Sequence, residues 1–179
     1  FKPMSPSPRL LLTIDYESWF AIFRRYDKLS SDQRRAFDNN FTRNAIEPIL
    51  DRLKNVKASF YLVGELMDWY PELPQKIFDA GHEIGFHCQV HRPLTTVEDI
   101  RHDLERSAGW RKKFNVRGYR APMIRTIEEV YPILEKNNIT YSSSLYAPTG
   151  TSINKNNIWE FPVSTYPLFG KLKNLSAPR

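Results

Sequence analysis

The sequence predicts an α/β domain built on a parallel sheet, as a barrel or in an open doubly wound form, and three observations support this. Strand-like and helix-like stretches alternate about every thirty residues, the signature of repeated βα units. RLLLTID at 9–15 and KASFYLV at 57–63 are short and almost continuously apolar, as strands covered on both faces are. Asp15, Glu17, His87, His91 and Arg120 all fall at the ends of such runs, and in either architecture function gathers at the C-terminal ends of strands.

The chain has 179 residues, 41% of them hydrophobic and 13% aromatic, which suits one folded domain with a substantial core. Its formal charge is +6, but Lys and Arg are scattered, apart from Arg111-Lys112-Lys113 and the pair Lys171 and Lys173. No nucleic-acid motif accompanies them, so a solvated basic surface is expected rather than a nucleic-acid partner. No apolar run reaches the ~18 residues of a membrane span, and no signal peptide is recognisable. Cys88 is the single cysteine, which excludes an internal disulfide and leaves the compartment, cytoplasm or cell envelope, open.

Taken in order, residues 1–8 (FKPMSPSP) are proline-rich and predict an entry tail, with the catalytic domain over 9–179. The first strand ends at Asp15, and extended backbone continuing to Glu17 points both carboxylates the same way. Ser18 to Asn40 reads as an aromatic and charged loop with one or two helical turns. Thr42 to Val56 reads as an amphipathic helix capped by Thr42, although Pro48 favours a start nearer Glu47. The second strand is Lys57 to Val63. Gly64 opens a helical region broken at Trp69-Tyr70-Pro71, and Gly81 stops the helix from Glu72 to Ala80. His82 to Phe86 is the third strand. A helix capped by Thr95 or Thr96 runs through Phe114, and Val116 to Arg120 is the fourth strand. A helix follows from Thr126 to near Asn137. Ile139 to Ser142 and Ile158 to Val163 are the fifth and sixth strands.

The chemistry centres on Gly81-His82-Glu83-Ile84-Gly85-Phe86-His87-Cys88-Gln89-Val90-His91. His87 and His91, four residues apart, share a face if the backbone there makes a helical turn, and can then chelate one divalent ion. A carboxylate from Asp15 or Glu17 completes a two-His, one-carboxylate site with open positions. Zinc suits that set, and iron, cobalt or nickel also fit. The carboxylate that is not a ligand can serve as general base, oriented by a bidentate contact from Arg120.

These residues resemble the polysaccharide deacetylases, or NodB-homology domains, metal-dependent amide hydrolases that act on N-acetylated sugars. Thr13-Ile14-Asp15-Tyr16-Glu17 is similar to the family's first motif, His87-Cys88-Gln89-Val90-His91 to its second and Arg120-Ala121-Pro122 to its third. The likeness extends from about Leu10 to Thr165. It implies a distorted (β/α) barrel of about seven strands, one divalent metal, most often zinc, held by His87 and His91, Asp15 as base, and Arg120 orienting it. Tyr16 stands where a second aspartate is usual, so the third ligand is expected to be Glu17, as in subgroups with an Asp-x-Glu opening. Cys88 stands where a hydroxyl usually braces the second histidine. Trp159 resembles a residue lining the acceptor side of the pocket and is read as substrate-binding or core. Tyr119 and Pro122, beside Arg120, are further substrate-binding candidates.

The family also carries a late Leu-x-His histidine that protonates the leaving amine, but no histidine follows His102 here. The chain is therefore expected to lack its last strands, or to close its barrel differently with that acid absent or replaced. The leading expectation is metal-dependent removal of acetyl from an acetylated amino sugar in a glycan or glycan precursor. The alternatives are hydrolysis of a small linear or cyclic amide on the same site, and a silent barrel that binds carbohydrate or supports a partner.

Overall fold

A computed structural model describes residues 10–21, 23, 26, 28–148 and 151–165. The proline-rich residues 1–8 and the lysines at 171 and 173 lie outside the described residues. Among the described residues, nine strands and six α-helices follow one another as β1 (Thr13–Tyr16), α1 (Ser31–Asp38), α2 (Phe41–Leu53), β2 (Ser59–Val63), α3 (Glu65–Trp69), α4 (Glu72–Asp79), β3 (Glu83–Cys88), α5 (Val97–Lys113), β4 (Gly118–Tyr119), α6 (Val130–Lys136), β5 (Tyr141–Ser142), β6 (Tyr146–Pro148), β7 (Ile153–Lys155), β8 (Ile158–Glu160) and β9 (Val163–Thr165).

A seven-stranded sheet has the order β1-β2-β3-β4-β5-β8-β7. Its first six strands run parallel and β7 returns antiparallel to β8. The expected seven-stranded, mainly parallel α/β sheet is therefore present. It does not close: β1 and β7 form its two edges, and among the described residues no ladder joins them. β6 and β9 form a separate parallel pair, so the expected sixth strand over 158–163 divides between two sheets. The β7–β8 hairpin turns on Asn156 and Asn157, both at positive φ, 49° and 67°. Asparagine tolerates that region, which matches the twist of a two-residue hairpin.

The period-2 alternation of strands assigns each side chain to a face. Ile14, Tyr16, Phe60, Leu62, Ile84, Phe86 and Tyr119 belong to the hydrophobic core beneath the helices. Phe86, for example, packs its ring 5.8 Å from Trp110 of α5. Thr13, Asp15, Tyr61, Gly85 and His87 occupy the alternate positions and face the other way. Gly85 is required there by close approach: a Cβ on it would stand 2.6 Å from the Tyr61 ring.

The helices begin where local chemistry allows. Ser30 caps α1 in a reciprocal box with Gln33. Thr96 caps α5 by accepting from Asp99 N at 3.1 Å, and α5 carries acids in its first turn and bases in its last. The helix expected from Thr42 instead begins at Phe41, with Asn40 as N-cap and Pro48 inside it. Thr42 is drawn in because its hydroxyl and main-chain N–H both bond the Asp38 carboxylate. The helix expected from Thr126 begins only at Val130, after a short 3-10 turn at Pro122–Ile124. No helix among the described residues is long and apolar enough to cross a membrane.

At the opposite end of β3 from the histidine pair, His82 is buried, and its Nδ1 accepts the Ala58 N–H at 3.3 Å. Burial, and then the nearby Lys57 charge, hold its pKa below the ordinary 6.5. The folded state thus binds this proton less readily than the unfolded chain. The contribution of His82 is complete above pH 6.5 and declines as the pH falls through that value. Between pH 7.5 and 5, thermal melts are expected to shift less toward instability on acidification in His82→Gln than in the parent chain; equal pH dependence in the two would refute the assignment.

Candidate active site

β1 ends with Asp15 on one face and Tyr16 on the other, and Glu17 follows directly after the strand, on the side of Asp15. Tyr16 is buried in the core, and its hydroxyl donates to Thr42 O at 2.6 Å. The residue in place of the usual second aspartate is thus turned away from the rim, and Glu17 is presented there instead.

The histidine pair is not set by a helical turn. His87 lies on β3 itself, and the turn that follows carries His91. In the β2–β3 ladder Leu62 pairs with Phe86 and Val63 with Cys88, so His87 is a surplus residue without a partner on β2. Such a bulge re-aims a side chain at the end of a strand. His87 Nδ1 lies 2.7 Å from Arg120 O, and His91 Nδ1 lies 2.9 Å from Ala21 O. A carbonyl oxygen can only accept, so each Nδ1 carries a hydrogen and donates it, leaving each Nε2 to face Glu17. Glu17 Oε2 is 2.9 Å from His91 Nε2 and 3.6 Å from His87 Nε2.

Ligand atoms of Glu17, His87 and His91 lie within 4.8 Å of one another. Glu17 Oε2 is buried with no hydrogen bond of ordinary geometry. A buried carboxylate oxygen and two imidazole nitrogens turned to one point, each ring anchored through its other nitrogen, make a donor set that fits a divalent cation. Burial acts to raise the Glu17 carboxyl, but the two imidazoles outweigh it and hold the group at about 2. Burial likewise acts to lower His91, and Glu17 outweighs it, so the imidazole is raised.

Beside this centre, Arg120 Nη1 donates to Asp15 Oδ1 at 2.7 Å. The expected bidentate contact is a single bond, because the remaining donors are used elsewhere. Nη2 reaches Thr13 Oγ1 at 2.9 Å and Ser143 Oγ at 2.7 Å, and Nε reaches Ser143 O at 3.0 Å. The guanidinium also lies over the Tyr61 ring, 4.3 Å from its centroid. The space opened by Gly85 is what lets that ring lie there.

The sequence pattern of the polysaccharide deacetylases matches residues 26–155. The chain belongs to the polysaccharide deacetylase family. The matched span contains His87, His91 and Arg120; Asp15 and Glu17 precede it and are joined to it by the contacts above. A peptidoglycan-N-acetylglucosamine deacetylase of Bacillus cereus is 38% identical over 77 residues, 37% of this chain and 28% of that protein. The chain therefore spans less than a third of that relative's length. Among solved structures, a candidate polysaccharide deacetylase of Mycobacterium smegmatis superposes with a TM-score of 0.71 at 22% identity, over 86% of this chain and 58% of that one. An allantoinase superposes with a TM-score of 0.63 at 12% identity, over 86% and 61%. At such identities these two likenesses show a shared fold.

The other residues singled out in the deacetylase-like motifs take different places. Tyr119 precedes Arg120 on the strand and must face oppositely; it is buried against Phe86, in the core rather than at the rim. Pro122 is buried and opens the 3-10 turn after Arg120. Trp159 is 49% exposed and stacks on Phe161 at 6.5 Å, so it lies at the surface rather than in the core. Cys88 is fully buried, and burial pushes its thiol well up. His91 is braced instead by the Ala21 carbonyl.

Sequence reasoning missed several supports. Thr13 and Ser143 hold Arg120, Tyr61 underlies it, and Asp103 of α5 accepts the Gln89 N–H at 2.7 Å to pin the histidine turn. Thr13 was available as an odd-numbered neighbour of Asp15 on β1. A main-chain acceptor such as Ala21 O leaves no mark in side-chain identity.

Proposed function

We propose that this domain removes the N-acetyl group of an acetylated amino sugar in a glycan or glycan precursor, as a metal-dependent hydrolase. The observation that carries this reading is the convergence of Glu17 Oε2 with two Nε2 atoms whose rings are each tied through Nδ1. Glu17, His87 and His91 would hold one divalent cation, and zinc best suits imidazole and carboxylate donors. When bound, such an ion polarises a carbonyl and makes water acidic enough to attack near neutral pH. Asp15 lies beside them with only Oδ1 engaged by Arg120. It is the base in this reading, receiving the proton of the attacking water. Arg120, buried and fixed by four hydrogen bonds, keeps that carboxylate in place. Once protonated, Asp15 is the group available to return the proton to the leaving amine. Trp159 offers an exposed aromatic face on which a sugar ring can stack.

Acetate release from N-acetylated chitooligosaccharides and from peptidoglycan tests this reading. Activity is expected, is lost on chelation and returns with zinc. A folded chain that retains no cation and releases no acetate would mark a silent member of the family.

A further inference from the structure

Arg34 and Glu65 form a buried ion pair that the chemistry above does not use. Arg34 Nε lies 2.9 and 3.2 Å from the two carboxylate oxygens and Nη2 lies 2.7 Å from Oε2, with side chains 10% and 8% exposed. A buried pair of this kind adds little net stability over an apolar substitute, so a specifying role is worth seeking.

The two partners belong to the two pieces of chain that fix His91. Arg34 sits on α1 and also donates through Nη1 to Leu29 O, and Leu29 N–H donates to Tyr26 O, Tyr26 N–H to Phe23 O and Phe23 N–H to Phe20 O, a run of main-chain bonds leading back toward Ala21. Ala21, next to Phe20 at the end of that run, supplies the carbonyl that accepts from His91 Nδ1. Glu65 opens α3, and its main-chain N–H donates to Gln89 O at 2.9 Å. The neighbouring Gly64 N–H donates to Cys88 O at 2.7 Å. Glu65 thus holds the histidine turn with its backbone and the Ala21 segment with its carboxylate. Glu17, Ala21, Arg34, Glu65 and His91 line one small cavity.

We infer that the Arg34–Glu65 pair positions His91, locking the Ala21 carbonyl against the 87–91 turn so that Nε2 is aimed at Glu17. The inference rests on the metal-centre reading above and names positioning residues within it; neither Arg34 nor Glu65 is a ligand.

Cobalt(II) titration tests it, with affinity taken from chelator competition and ligand geometry from the visible absorption band. Arg34→Met is expected to weaken cobalt binding by roughly 10–100-fold, the usual effect of losing a ligand's support, and to alter the band. Arg34→Lys, which keeps the charge but not the fork, should fall between. Arg34→Met leaves Glu65 buried and unpaired, so the double replacement Arg34→Met/Glu65→Met decides the matter if the single variant does not fold. Arg43→Met, which breaks the exposed Arg43–Glu72 pair, should leave both readouts unchanged. Variants that melt at lower temperature yet bind cobalt with wild-type affinity and spectrum would overturn the inference and reduce the pair to a structural role. A wild-type protein that takes up no cobalt would instead remove the metal centre, and the inference with it.

Discussion

His87→Ala is expected to abolish retention of the divalent cation and to lower turnover by roughly 10²–10³-fold, the scale of losing a main electrostatic stabiliser of the reacting group. The size follows from the geometry. Glu17 Oε2 faces His91 Nε2 and His87 Nε2, so removing one imidazole leaves a single ring nitrogen beside the buried carboxylate, too few ligands to hold a cation. The fold should survive, because His87 is the unpaired residue of a bulge and its removal breaks no β2–β3 ladder position. Metal content after gel filtration, acetate release and circular dichroism check the three parts. Normal turnover in a metal-free His87→Ala protein would end the hydrolase account.

Asp15→Asn should produce the complementary pattern: turnover down by about 10²–10⁴-fold with metal content intact, as loss of a general base predicts. The amide is nearly isosteric, and its oxygen can still accept from Arg120, so the loss reports the proton acceptor rather than a collapsed site. An equal loss of metal would instead place Asp15 among the ligands, one of the two arrangements the sequence left open.

Much of this arrangement could be read before any coordinates. Asp15 and Glu17 share a face because strands alternate, and the same rule sends Tyr16 and Tyr119 into the core. Applied to Tyr119 at the outset, it would have removed that residue from the substrate-binding candidates. The i, i+4 histidine spacing pointed to two rings that the fold does bring together, but through a bulge and a turn instead of the expected helical turn. A bulge is a property of pairing with a second strand and is not written in either strand alone. The short strands β6, β7 and β9 were likewise invisible, being three residues each and defined by their partners. The braces on the rings were hidden for a different reason. Main-chain oxygens such as Ala21 O and Arg120 O are common to every residue type, and only tertiary placement makes them specific.

The surplus residue on β3 makes the histidine centre sensitive to chain length rather than to side-chain identity. Exchanging one aliphatic side chain for another at Ile84 alters packing and leaves the direction of the imidazole untouched. Excising a single position from 83 to 86 would cancel the mismatch with β2, turn outward what now points inward and scatter the ligands without touching any of them. Related sequences with the same His-x-x-x-His spelling but one residue fewer ahead of it would need another way to bring the two rings together.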